Sequence, residues 1–130
     1  MTLQTKAGAV LYAKSIARVS AFYAGIPGFE VIHSEADHVV LESPELQLVV
    51  VAIPTHIADS IELADPPIRR TETPIKLVFS VPSLRAVRAA VQPLGGELNP
   101  PEREWQFQEF RVCDGHDPEG NVVQFREHAR

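Results

Sequence analysis

The sequence predicts an α+β fold of two tandem βαβββ modules whose sheets curl around a cavity. Three observations carry this reading. Eleven prolines punctuate the 130 residues, and the densest cluster, Pro54 to Pro74, separates two stretches of similar pattern. Each stretch passes from a strand-sized apolar segment into a serine-capped helix and then into short strands. The stretches also match as sequence: an offset of 68 carries Ser15-Ile16 onto Ser83-Leu84, Val19 onto Val87 and Gly28 onto Gly96. Module one is expected over about 8–53, a linker over 54–74 and module two over about 75–128, together forming one domain over 1–130.

In module one, Gly8 to Ala13 is an apolar, strand-sized opening. Ser15 is placed as an N-cap before Ile16, Val19, Phe22 and Tyr23, which recur at helical spacing, and Pro27-Gly28 stops that helix. Strands follow at Phe29 to His33, His38 to Glu42 and Leu46 to Ile53, with turns at Glu35-Ala36-Asp37 and Ser43-Pro44-Glu45. The linker holds one short helix, roughly Thr55 to Leu63. Module two repeats the order. Ile75 to Val81 is a strand, and Ser83 caps a helix with Leu84, Val87, Ala90, Val91 and Leu94 on one face. Gly95-Gly96 ends the helix, and Glu97-Leu98 starts a short strand that Asn99-Pro100-Pro101 breaks. Trp105 to Cys113 reads as one strand with a bulge near Gln108 to Glu109, since the aromatic and apolar positions change parity there. Asp117-Pro118-Glu119-Gly120 has the residues of a type I turn, and Asn121 to Glu127 closes the module.

Composition narrows the function. The formal net charge is −5, which argues against nucleic acid as a partner because phosphate binding needs a basic face. The longest apolar run, Leu48 to Ile53, is far short of the ~20 residues that span a bilayer. Met1 to Ala7 lacks an apolar segment of the secretory kind, and the single cysteine, Cys113, cannot form an intrachain disulfide. These features point to a reduced, cytoplasmic setting without membrane contact.

Four stretches resemble one known group. They are Val10-Leu11-Tyr12-Ala13-Lys14-Ser15; Ala21-Phe22-Tyr23 with Gly28-Phe29-Glu30-Val31; Lys76-Leu77-Val78-Phe79-Ser80-Val81; and Asp114-Gly115-His116-Asp117-Pro118-Glu119-Gly120-Asn121-Val122-Val123-Gln124-Phe125. With them the chain resembles the vicinal oxygen chelate superfamily: glyoxalase I, bleomycin-resistance proteins and extradiol dioxygenases. The resemblance implies the glyoxalase/bleomycin-resistance fold and a homodimer. It also implies a divalent metal held from the first and last strand of each module. Later in the modules the offset becomes 74, which carries Ser43-Pro44-Glu45 onto Asp117-Pro118-Glu119. The resemblance with the repeat puts the four positions at Gly8, Val50, Lys76 and Gln124, since 8 plus 68 is 76 and 50 plus 74 is 124. Glycine and valine offer no ligand atom, and a protonated lysine has no lone pair. The expectation is therefore a member without the metal site and with no cofactor.

The reading that follows is a metal-independent small-molecule-binding protein that sequesters an aromatic or anionic compound. Beside it stands an enzyme of the same superfamily, a lyase, an isomerase or a dioxygenase-like protein acting on a small organic substrate with or without a divalent metal; in the metal-free case Lys76 is its acid, base or anion clamp. The candidate ligand-binding residues are Lys76, Gln124, Trp105, Phe107 and Arg111. Lys76 and Gln124 would supply charge and an amide, Trp105 and Phe107 an aromatic wall, and Arg111 a partner for a carboxylate. Lys76 should lie opposite Gly8, with room for a ligand between them. The five histidines, His33, His38, His56, His116 and His128, show neither His-x-His nor His-x-x-x-His spacing, so exposed histidine is expected for most of them. His116 is expected to shape the turn that follows it, and Cys113 to be a buried structural thiol.

Overall fold

The computed structural model describes residues 6–129. The expectation drawn from Met1 to Ala7 thus falls mostly on residues outside that range. Nine strands and three helices are formed: β1 (Ala7–Ala13), α1 (Ile16–Gly25), β2 (Glu30–Ser34), β3 (His38–Glu42), β4 (Leu46–Ala52), α2 (Thr55–Ala58), β5 (Leu77–Ser80), α3 (Leu84–Val91), β6 (Glu97–Leu98), β7 (Trp105–Phe107), β8 (Phe110–His116) and β9 (Val122–His128). They form two mixed sheets, ordered β1-β4-β3-β2 and β5-β9-β8-β6, with β7 paired to β8. In each sheet the first and last strands are parallel neighbours, as a βαβββ unit requires. No described helix is long and apolar enough to cross a membrane.

The helix starts follow from local chemistry. Ser15 Oγ accepts from the Arg18 amide at 3.2 Å, and Ser83 Oγ from the Ala86 amide at 3.1 Å. Each thereby satisfies one of the amides that a helix N-terminus leaves without a partner. In α1 the buried face is Val19, Ser20, Phe22 and Tyr23, and in α3 it is Leu84, Val87 and Val91. Both faces meet in one core with Leu41, Leu48 and Val50 of the first sheet and Phe79, Val123 and Phe125 of the second. Phe79 stands edge-on to Phe29 at 5.4 Å between ring centroids and lies 5.7 Å from Tyr23. Side chains of both modules thus share that core.

Three expected elements differ. The linker helix is a single turn, Thr55–Ala58, because the prolines and acids after it supply no second apolar turn. Strand β5 begins at Leu77 rather than Ile75. The expected single strand Trp105 to Cys113 is a hairpin, β7 and β8, that reverses at Gln108 and Glu109. Gln108 has φ 53°, the left-handed region a tight reversal uses. The change of parity in the sequence marks this reversal and not a bulge.

The modules are clasped by the turn between β8 and β9. Asp117, fully buried, accepts from Tyr23 Oη at 2.8 Å through Oδ2, and from the amides of Glu119 and Asn121 at 2.8 and 3.0 Å through Oδ1. Burial raises its carboxyl pKa, and these donors only partly oppose that. Burial and the neighbouring carboxylate push the Tyr23 hydroxyl well above its ordinary value. Glu119 reaches the other module. Its two oxygens accept from the Lys14 and Ser15 amides at 2.9 and 2.7 Å, an anion seated at the N-terminus of α1. Close approach is enforced nearby: a Cβ on Gly96 would lie 2.5 Å from the Phe22 ring and 2.6 Å from the His116 carbonyl oxygen. The linker joins the same assembly, with the Arg70 amide donating to the Gly120 carbonyl at 2.8 Å.

A second network ties α3 to the β7–β8 hairpin. Arg88 Nη2 donates to Glu104 Oε2 at 2.5 Å, and Arg111 Nε to Glu104 Oε1 at 2.6 Å. Burial alone would raise the Glu104 carboxyl, but the two guanidinium groups outweigh it and hold the pKa below its ordinary value. Cys113 is buried, and its thiol donates to the Asn99 carbonyl at 3.4 Å.

Two outcomes are expected. In Glu119→Gln one side-chain oxygen becomes a donor facing a backbone amide, so stability should fall by about 1–3 kcal/mol. Urea unfolding measures this, and a change under about 0.3 kcal/mol would show that the clasp is not energetically important. Glu104 gives a pH signature. Its folded pKa is depressed, so the stability it adds is complete above the unfolded glutamate pKa of about 4.3 and is lost as pH falls through the folded value. Glu104→Gln should be less stable than the parent at neutral pH, and the gap should close on acidification. A gap that stays constant from neutral pH to about pH 3 contradicts the assignment.

Candidate functional site

Each sheet covers the core with one face and leaves the other open. Alternation assigns the residues, because directly paired residues share a face. On the first sheet, Gly8, Val10 and Tyr12 of β1 pair with Gln47, Val49 and Val51 of β4, and these in turn with Glu42, Val40 and His38 of β3. On the second sheet, Val78 and Ser80 pair with Gln124 and Arg126, which pair with Asp114 and Val112, and Trp105 pairs with Val112. Phe107, Phe110 and His128 complete the row.

The second open face carries a chain of polar contacts. Lys76 Nζ lies 2.7 Å from Asp114 Oδ2, Gln124 Nε2 donates to Asp114 Oδ1 at 3.2 Å, and Arg126 Nε donates to Gln124 Oε1 at 2.9 Å. Gln124 is only 6% exposed, and both ends of its amide are engaged. The Arg126 guanidinium lies over the Phe107 ring, 4.9 Å from its centroid, and 6.0 Å from that of Phe110. Its one side-chain hydrogen bond among the described residues uses Nε, which leaves the terminal nitrogens as donors. Trp105 and Phe107 stay 40% and 43% exposed at the edge of this face.

Four of the five candidate residues from the sequence, Lys76, Gln124, Trp105 and Phe107, therefore share one face. Arg111 does not: it points to the opposite side of β8, toward Glu104 and α3. Lys76 sits just before β5, and Asp114 neutralises it, so among the described residues Arg126 is the free cation of this face. Sequence reasoning passed over Arg126 and Asp114. The available signal was alternation, since 124 and 126 must share a face on one strand, and Asp114 lies three residues before the turn that begins at Asp117.

The position of Val50 needs correction. It is fully buried in the core, facing the helix side. Val10 corresponds to Val78 by the offset of 68, and these pair with Val49 and Gln124, so the counterpart of Gln124 is Val49 and the later offset is 75 (124 minus 49). A slip of one residue reverses the face of a strand. The only described atoms within 4 Å of a Cβ built on Gly8, apart from its chain neighbours, belong to Gln47.

A cleft of about 790 Å³ lies between β2, the β3–β4 turn and β5. None of the five candidate residues lines it; Phe29, Ile32, Val78 and Phe79 do, with Lys6, Glu30, Glu42 and Glu45. Lys6 is held by Glu42 at 2.7 Å, so the charge left over in the cleft is acidic. The hydrogen bond from Lys6, and then that from Gln47, depresses the Glu42 carboxyl.

Whether the fold's four usual ligand positions, with Val49 in place of Val50, suit a divalent metal is a question of donors. Gly8 and Val49 have none, and Lys76 is a cation. Gln124 has its amide oxygen committed to Arg126, and the Asp114 carboxylate is committed to Lys76 and Gln124. This set does not fit a divalent ion.

No family model matches the sequence, and no curated protein is similar to it. Solved structures are similar in fold. The fosfomycin resistance protein FosX from Listeria monocytogenes is 18% identical with a TM-score of 0.65, over 100% of this chain and 94% of its own. A glyoxalase/bleomycin resistance protein/dioxygenase family enzyme from Burkholderia phytofirmans is 16% identical with a TM-score of 0.65, over 94% of this chain and 97% of its own. A bleomycin resistance determinant encoded on the transposon Tn5 is 17% identical with a TM-score of 0.61, over 96% of this chain and 98% of its own. A FosX variant was solved with Mn(II) and a dihydroxypropylphosphonic acid. Over its described residues the chain has the tandem βαβββ fold of the vicinal oxygen chelate superfamily, the fold of these glyoxalase/bleomycin resistance protein/dioxygenase and fosfomycin resistance proteins.

Proposed function

We propose that the chain is a metal-independent binder of a small organic molecule that is both aromatic and anionic, held on the open face of the second sheet. The observation that carries this is Arg126: a guanidinium with free terminal donors beside Trp105, Phe107 and Phe110, on a face whose other cation is already neutralised. An anion would meet Arg126 and a planar ring would lie against the aromatic residues. The acidic charge of the large cleft favours the open face over the cleft for such a ligand. Two proteins of this fold are named for resistance to bleomycin and fosfomycin, and sequestration of a toxic compound in a cytoplasmic setting belongs to the same reading.

A second copy of the chain would complete the site. In one chain the open faces leave Val10, Tyr12 and Val78 at 59%, 64% and 42% exposure, beside Trp105 and Phe107. Apolar rows of this size are what an interface between identical chains covers.

Trp105 is the only tryptophan and serves as the reporter. After divalent metals are stripped by chelation, anilinonaphthalene sulfonate should bind saturably and quench it, and the uncharged phenylnaphthylamine should bind more weakly. Arg126→Gln should weaken the sulfonate about tenfold to a hundredfold, since a charged hydrogen bond contributes about 1.5–3 kcal/mol. Asp114→Asn, which releases Lys76, should strengthen it severalfold. Equal affinity for the two probes, or binding only when metal is restored, would overturn the reading. Light scattering should give twice the chain mass; a monomer at every concentration refutes the dimer.

A further inference from the structure

The hairpin joining β2 to β3 gathers groups that the fold's usual metal positions lack. Ser34 pairs with Val39 and His33 with Val40, so His33 and His38 lie diagonally across the hairpin on one face. Glu35 follows His33 by two residues and projects to the same side, while its amide closes the turn on the His38 carbonyl at 2.8 Å. His33 Nε2 lies 3.3 Å and His38 Nε2 3.5 Å from Glu35 Oε2. The three ligand atoms fall within 4.8 Å of one another, the one such His/Cys/Asp/Glu group among the described residues.

We propose that His33, Glu35 and His38 form a binding site for a zinc-class divalent transition metal. With Zn–N and Zn–O bonds of about 2.0–2.2 Å, the edge of a tetrahedron is about 3.3–3.5 Å, which matches both nitrogen–oxygen separations. Two imidazoles with one carboxylate select zinc, nickel or copper over magnesium and calcium, which prefer oxygen alone. A supporting contact is also present. Asp37 Oδ1 lies 2.8 Å from His38 Nδ1, which places the proton on that nitrogen and leaves Nε2 as the metal-facing lone pair. Glu35 and Asp37 together balance the charge of a divalent ion. Three ligands on one side leave the fourth position to water, so the site would be of moderate affinity and open to solvent. It is separate from Arg126 and its aromatic neighbours, and the ligand-binding reading does not depend on it.

The test uses tag-free, chelator-treated protein titrated with Zn²⁺ by calorimetry, and with Co²⁺ followed by visible absorption. One equivalent of Zn²⁺ is expected, with the intense bands of four-coordinate cobalt. His33→Ala, Glu35→Ala and His38→Ala should each lower affinity at least tenfold, and Asp37→Asn about tenfold to a hundredfold. These side chains are largely at the surface, so circular dichroism should show the fold intact. His56→Ala and Gln124→Ala should leave the titration unchanged. Absence of saturable binding near one equivalent, binding that survives the combined His33→Ala and His38→Ala variant, or binding abolished by Gln124→Ala would overturn the site.

Discussion

The buried carboxylate of Asp117 and its neighbour Glu119 form the constraint from which the rest of the arrangement follows. A charge-bearing group that is fully buried is tolerable only when its oxygens are occupied, and Asp117 meets that condition with Tyr23 Oη, two backbone amides and the Asn121 side chain. Glu119 extends the same turn across the module boundary to the two amides that precede α1. The second module's last hairpin is thereby fastened to the first module's helix. The turn also sets the register of β8 against β9, so Asp114 faces Gln124 and Val112 faces Arg126. The polar chain on the open face is a downstream consequence of how that one turn is satisfied.

On that face the groups present at the fold's usual metal positions do not suit a divalent ion, and they satisfy one another instead. Where a divalent ion would need converging oxygen and nitrogen donors, the chain has glycine, valine and a lysine. The remaining acceptors turn toward each other: Asp114 takes the lysine, Gln124 bridges Asp114 and Arg126, and the guanidinium comes to lie over Phe107. A planar, permanently charged guanidinium is weakly hydrated and stacks on rings, so it tolerates an aromatic setting better than an ammonium does.

Much of this was readable from the sequence because it depends on local rules. Ser15 and Ser83 cap helices through their own hydroxyls, the offset of 68 reflects a repeated unit, and the residues 117–121 carry turn chemistry within five positions. What could not be read depends on parity and on distant pairing. Val49 and Val50 are chemically alike, so only the pairing to Val10 shows which one faces out. The parity change between Phe107 and Phe110 fits a bulge or a reversal equally, and the choice is made by the left-handed Gln108 and by β7 folding back on β8. The pairing of Lys76 with Asp114 spans 38 residues and has no local signature. His33, Glu35 and His38 were passed over because spacing rules for helices and single strands do not describe a diagonal across a hairpin.

Charge sets what kind of ligand the open face can hold. The chain as a whole is −5, so the long-range field opposes an approaching anion. At physiological ionic strength that field is screened over about 8 Å, and the local contact decides. Arg126 alone, partly exposed and hydrogen-bonded to Gln124, is a weak trap for a bare inorganic ion, which would exchange one hydration shell for a single guanidinium. A ligand that adds a ring changes the balance, because it covers part of Trp105 and Phe107 and displaces water from around the ion pair as it does so. Burial of apolar area contributes about 25 cal/mol per Å², so one aromatic ring adds several kcal/mol before the charge is counted. On the proposed ligand-binding reading, the face would therefore select for the combination of a ring and one negative group over either feature alone.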